Sequence, residues 1–196
     1  MSRVALPAAT LVLLMTCTCG SSPTGAIPTT PVDKMMVLAS SALPGLTSVT
    51  RVLTVTTLSK DASIPQLAAN LRSWGYVDGR ERIFQGESRH LTLAISRSLI
   101  FKDATGARAF VAFVEANYAA YFGAATAARP LVAQGRSGWL FTPPACACHL
   151  ANPAFIGLLN VGSSVVWLEI NGPDATPALL ISLLDPALSV PAMGAG

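Results

Sequence analysis

The chain has 196 residues, of which 52% are hydrophobic and only 12% charged, with 13 basic and 10 acidic side chains. That length suffices for one domain with its own core, and the composition is too apolar for a disordered protein. The near balance of charge excludes the basic footprint of a nucleic-acid binder.

Arg3 precedes an uncharged run, VALPAATLVLLM, from Val4 to Met15. As a helix this run reaches about 18 Å, short of the roughly 30 Å hydrocarbon core of a bilayer, so it reads as an export signal and not a spanning helix. Residues 1–16 are assigned to that signal. It ends in LLMTCTCGSSPT, which resembles the lipobox of bacterial lipoproteins, with Leu14 three residues before Cys17. The resemblance implies acylation of Cys17, whose lipid chains would hold the mature protein on the outer face of a bacterial membrane. Cys19 is the alternative. Gly20-Ser21-Ser22 look like the start of a lipoprotein tether, and modification there leaves Cys146 and Cys148 as an even pair. A conventional signal cleaved after Gly20 or Ala26 is the remaining option. Residues 17–33 carry the attachment site and then GSSPTGAIPTTPVD, too poor in apolar side chains to bury a core, so a disordered tether is expected.

The folded domain is expected over residues 34–190. MMVLASSALPG (Met35 to Gly45) reads as a short helix or turn stopped by Pro44-Gly45, and SVTRVLTVTT (Ser48 to Thr57) as a strand. SIPQLAANLRSW places Ser63 and Gln66 at capping-box spacing, carries Leu67, Leu71 and Trp74 at helical spacing, and is terminated by Gly75. YVDGRERIFQG returns to extended structure. HLTLAISRSLIFK (His90 to Lys102) puts Leu91, Leu93, Ile95, Leu99 and Phe101 on one face of a strand, with Arg97 among them. That arginine either turns outward at a bulge or pairs with a buried carboxylate, and Glu169, in SVVWLEI, is the partner proposed from sequence.

DATGARAFVAFVEANYAAYF reads as one amphipathic helix capped by Asp103, with a stripe from Ala107 to Phe122. RPLVAQ and GWLFT are extended pieces around a turn at Gly135 to Gly138. AFIGLLNVGSSVVWLEI reads as a hairpin turning at Gly162-Ser163, NGPDATPALLISLLD as a last helix, and residues 191–196 as a frayed tail. Asp103-Ala104-Thr105 and Asp174-Ala175-Thr176 echo one another, each between a strand and a helix, which suggests that both helices leave the sheet alike and cover the same face. The expected class is therefore α+β, a mainly antiparallel sheet with its helices on one face. That layout, over residues 46–188, is similar to the small α+β domains of exported bacterial lipoproteins, including the broad group resembling PsbP and Mog1.

No GxSxG, HExxH, GxGxxG or Walker motif occurs, and histidine appears only at His90 and His149, so no catalytic residue is assigned. The four glutamates are scattered, and the charged stretches Asp78 to Arg82 and Glu87 to His90 read as solvated surface at turns and strand ends. Trp139 and Trp167 read as core. The remaining chemistry lies in PPACACHLANP, Pro143 to Pro153. Cys146 and Cys148 could be oxidised to each other, which requires the chain to turn at Ala147. With His149 they could hold a soft ion such as Cu(I) or Zn(II), although a structural zinc needs a fourth ligand. They could equally be packed thiols under a rigid loop. The function expected is a non-catalytic binding or scaffolding module on a lipid anchor, without a cofactor. Its partner, beyond the membrane lipid, would be a protein or small molecule. The alternative is a thiol-redox or metal-handling protein centred on Cys146, Cys148 and His149.

Overall fold

The computed structural model describes residues 37–62, 64–86, 90–144 and 152–188. The export signal, Cys17 and Cys19, the tether, Ser63, the segment with Cys146, Cys148 and His149, and the tail 191–196 lie outside the described residues. The elements run β1 (Thr47–Val52), α1 (Val55–Ala62), α2 (Leu67–Ser73), β2 (Tyr76–Gln85), β3 (Leu93–Phe101), α3 (Ala104–Ala116), α4 (Tyr118–Phe122), β4 (Ala127–Ala133), β5 (Arg136–Thr142), β6 (Ala154–Val161), β7 (Ser164–Asn171) and α5 (Pro177–Leu188).

The seven strands form one sheet in the order β1-β2-β3-β7-β6-β5-β4, and every neighbouring pair is antiparallel. Two meanders, β1 to β3 and β4 to β7, are sewn together where β3 pairs with β7. The tight hairpins follow from local chemistry. Gln134 and Gly135 both take left-handed backbone (φ 48 and 71), the two-residue turn whose twist suits antiparallel strands, so the turn is tighter than the Gly135 to Gly138 expected from sequence. Gly162 supplies the positive φ between β6 and β7, at the expected place.

The α+β class with an antiparallel sheet is what the sequence led us to expect, but the helices do not share one face. Leu99, Phe141, Leu158, Val165 and Trp167 point to the side covered by α1 to α4. Leu140, Leu159, Val166, Leu168 and Ile170 point to the other, covered by Leu180, Leu184 and Leu188 of α5 together with residues 38–46. The cause lies in the central strands. β6 and β7 are apolar on both faces, so each face has to be removed from water at about 25 cal/mol per Å² of apolar area. Gly157 makes the second contact possible, since a Cβ there would stand 2.7 Å from Leu180 Cδ2. The Asp-Ala-Thr echo is correspondingly not structural. Asp103 caps α3, accepting from the Thr105 and Gly106 amides at 2.8 and 2.9 Å. Asp174 instead contacts His90 Nδ1 at 2.5 Å, and Thr176 Oγ1 accepts from Leu179 N at the start of α5.

Three further local differences have physical causes. The strand expected over Ser48 to Thr57 ends at Val52, and α1 begins because Thr54 and Thr57 cap each other. Each hydroxyl accepts the other residue's amide, at 3.1 and 2.8 Å, which outweighs the β-branched run. Gln66 takes left-handed backbone, φ 69, and caps nothing, so it does not serve the box expected with Ser63. The single helix expected after Asp103 breaks at Asn117 (φ −119), whose Nδ2 donates to the Phe113 carbonyl at 2.8 Å, giving α3 and the short α4.

Candidate functional site

On the α1 to α4 side, one row of side chains crosses four strands. Arg51 stands opposite Glu81, Glu81 opposite Arg97, and Arg97 opposite Trp167. Directly opposed residues of antiparallel strands share a face, so the pairing follows from register alone. Glu81 is completely buried and uses both oxygens. Its Oε1 accepts from Arg51 Nε and Nη2 at 2.9 and 2.5 Å, and its Oε2 accepts from Arg97 Nε. The Arg97 guanidinium lies 5.1 Å from the centre of the Trp167 ring, a cation–π distance.

This arrangement corrects two sequence expectations. Arg97 does point inward to a buried carboxylate, but the carboxylate is Glu81 and not Glu169. Glu81 and Arg80, read as solvated, are buried within β2. The signal was present: Glu81 lies two residues before Ile83 and four before Gln85, in phase with a strand, and directly opposed to Arg97 once β2 and β3 form a hairpin. A buried charge survives only with a partner at good geometry, which is what the two arginines provide.

Beside this row the described residues cover the sheet only in part, leaving a cleft of about 400 Å³. Its floor is Arg97, Leu99, Trp167 and Glu169. Leu58 of α1 and Leu67 of α2 form one wall, and Phe110, Tyr121 and Phe122 of α3 and α4 the other. Pro143, Pro144 and Asn152 stand at its rim. Four aromatic rings brace the second wall and the floor. Phe122 lies 5.5 Å from Trp167 and 5.0 Å from Phe141, and Tyr121 6.2 Å from Trp167, mostly edge-on or tilted. Arg97 opens onto the cleft, and Leu93 and Ile95 are likewise only half-buried, although sequence assigned all three to the core-facing side of β3.

The polar groups of the cleft are unevenly committed. Arg97 donates only through Nε, so both terminal nitrogens retain their hydrogens for another acceptor, counting all described residues. Tyr121 Oη and Trp167 Nε1 are buried without a hydrogen-bond partner among the described residues. An unmet buried donor costs about 1–3 kcal/mol, so such groups are uncommon without a role. Glu169 stands across the β3–β7 pair from Ile95, one position along the row from Trp167 and Arg97. Burial pushes its carboxyl above the ordinary range. Arg97 pulls it back, and Glu81 adds to the rise. Burial likewise raises the Tyr121 phenol, against the pull of Arg97, so the hydroxyl keeps its proton. No serine, cysteine, histidine or lysine stands among the described lining residues, so these groups can hold and orient a molecule.

Cys17, Cys19, Cys146, Cys148 and His149 are not placed, lying outside the described residues. Among the described residues no group of three or more His, Cys, Asp or Glu side chains could hold a metal ion, and no helix is long and apolar enough to cross a membrane.

No protein-family model matches this chain, and no curated protein matches it. Among solved structures it is similar to the extracellular domain of PknH from Mycobacterium tuberculosis, at 13% identity over 71% of this chain and 81% of that one. The TM-score is 0.35, too slight a likeness to carry a functional argument.

Proposed function

We propose that the protein is an exported bacterial lipoprotein, acylated at Cys17 or alternatively Cys19, whose single domain is a non-catalytic binding module working through the cleft over β3 and β7. The observation that carries the binding role is the cleft itself. It is an aromatic-walled cleft of about 400 Å³, within the size range of small-molecule sites, with a mixed polar and apolar lining in which the terminal nitrogens of Arg97 are unspent donors. The export signal and lipobox-like stretch support the anchored location.

Titration of the purified chain with an uncharged solvatochromic probe such as Nile red tests the binding role. One site per chain is expected. Ala154→Trp, which fills the cleft from the half-buried start of β6, should weaken binding at least tenfold. Equal binding by Ala154→Trp, or a probe that never saturates, rejects the cleft. The anchor is tested separately by mass spectrometry of the mature N-terminus. An acylated Cys17 or Cys19 is expected, and an unmodified peptide beginning beyond Cys19 refutes it.

A further inference from the structure

We infer that the molecule taken by the cleft is an anionic amphiphile, with its acidic head on the terminal nitrogens of Arg97 and its apolar body between the α1–α2 wall and the rings of Tyr121 and Phe122. This rests on the cleft being the binding site and adds the class of ligand.

Charge is the first argument. One carboxylate, Glu81, serves two guanidinium groups, Arg51 and Arg97, so the row carries an unbalanced positive charge. Arg51 is half in water, at 53% exposure, and solvent can balance it, whereas Arg97, at 16%, faces the cleft. Glu169 is the remaining charged group on the floor, and its burial, which raises its carboxyl above the ordinary range, weakens the charge it sets against Arg97. The inventory of hydrogen bonds is the second argument. Arg97 Nη1 and Nη2 are donors without partners among the described residues, and Tyr121 Oη and Trp167 Nε1 lie enclosed beside them without a hydrogen bond. Asn171 Oδ1, an acceptor on the lining, is engaged by the Thr92 hydroxyl at 3.1 Å. The open terminal nitrogens of Arg97 select an acceptor-rich head, and the two coplanar nitrogens of a guanidinium match the paired oxygens of a carboxylate or a phosphate. Arg97 is also held in place before any ligand arrives, by Glu81 at Nε and by Trp167 beneath its plane.

Size is the third argument. At ~30 Å³ per water-sized volume, the cleft holds on the order of a dozen non-hydrogen atoms. Such a volume admits a ten-carbon chain with its head group.

Isothermal titration of the purified chain with decanoate, decyl phosphate, decan-1-ol and decyltrimethylammonium separates the possibilities. Decanoate or decyl phosphate is expected to bind at least tenfold more tightly than decanol, and the cation weakest of all. The stronger of the two anions identifies the head. Arg97→Gln should reduce anion affinity at least tenfold while changing decanol less than threefold. The comparison of ligands on the unaltered chain stands even if that variant fails to fold. Equal affinity for decanol and the anions, or preference for the cation, overturns the assigned class while leaving the cleft a binding site. No binding of any ligand, together with Nile red unaffected by Ala154→Trp, removes both readings.

Discussion

Replacing Glu81 by glutamine should destabilise the domain more than any other isosteric change of a charged group in this fold. The carboxylate is inaccessible to solvent, and it neutralises Arg97, which is itself only 16% exposed. Removing one partner of a buried ion pair leaves the other charge stranded, at a cost of about 3–5 kcal/mol. Glutamine retains one acceptor oxygen, so the lower end, about 3 kcal/mol, is expected. Arg51 adds little to this sum because more than half of its side chain is in water, where an ion pair contributes about 0–1 kcal/mol. For a domain of this size 1 kcal/mol moves Tm by roughly 2–4 °C, so the shift should be about 6–12 °C. Urea unfolding followed by circular dichroism gives the free energy directly. Arg51→Ala should cost at most about 1 kcal/mol. The double substitution Glu81→Leu with Arg97→Met should recover most of the loss, since a well-packed apolar pair can replace a buried ionic one at little cost. The reasoning fails if Glu81→Gln lies within about 0.5 kcal/mol of the parent, the range of ordinary surface changes, or if Arg51→Ala costs as much as Glu81→Gln.

Glu169 makes stability depend on pH. Its carboxyl lies above the ordinary 4.5 in the folded state, so the native chain keeps a proton that the unfolded chain has released. Stability therefore falls as pH rises from about 4.5 towards the folded value and then levels. Glu169→Gln should flatten that fall and raise Tm at pH 8, and an unchanged slope between pH 4 and 8 would contradict the assignment. Asp103→Ala removes the acceptor of two amides at the start of α3 and should cost about 1 kcal/mol, read as a lower urea midpoint at unchanged slope. Gly157→Ala drives a methyl to 2.7 Å from Leu180 Cδ2 and 3.2 Å from Leu184 Cδ1, and should cost about 1–3 kcal/mol. A neutral effect in thermal melts would mean that α5 does not sit on that face.

Much of the fold was legible because it rests on local chemistry. The cap at Asp103, the turn at Gly162 and the apolar runs of β6 and β7 all act within a few residues. What escaped depends on partners far apart in the chain. Nothing near Leu168 or Ile170 says that α5 will cover their face, because a strand that is apolar on both sides looks the same whichever helix reaches it. β3 was misjudged for a related reason. Its apolar side chains are at period two on the cleft side, yet Leu93 and Ile95 there are only half-buried while Ala94, Ser96 and Ser98 on the other side are fully buried. Small residues there let the Leu38 amide reach Ser96 Oγ at 3.0 Å and let the Arg82 guanidinium reach the Leu38 carbonyl at 2.5 Å. Hydrophobicity alone does not register that kind of burial. At the site, Arg97 was legible as an oddity and Glu169 as its neighbour. Glu81 was hidden because a run of five mostly charged residues resembles solvated surface until the hairpin register is known.

That register is itself encoded in the charges. β2 reads Arg80-Glu81-Arg82, and the strands on either side present Arg51 and Arg97 to the middle residue. Slipping β2 by one position would put Arg80 or Arg82 in place of Glu81, gathering the four guanidinium groups of Arg51, Arg80, Arg82 and Arg97 on one face and sending the carboxylate to the side of Phe84 and Leu168. A one-residue slip also moves every side chain of the strand to the opposite face, so apolar burial and charge pairing fail together. The one arrangement that satisfies both leaves Arg97 tied at Nε and open at its terminal nitrogens, directly above Trp167. The device that aligns three strands thereby also presents a fixed cation to the cleft, so the wall on which we propose a ligand's head group rests is rigid for reasons that have nothing to do with the ligand.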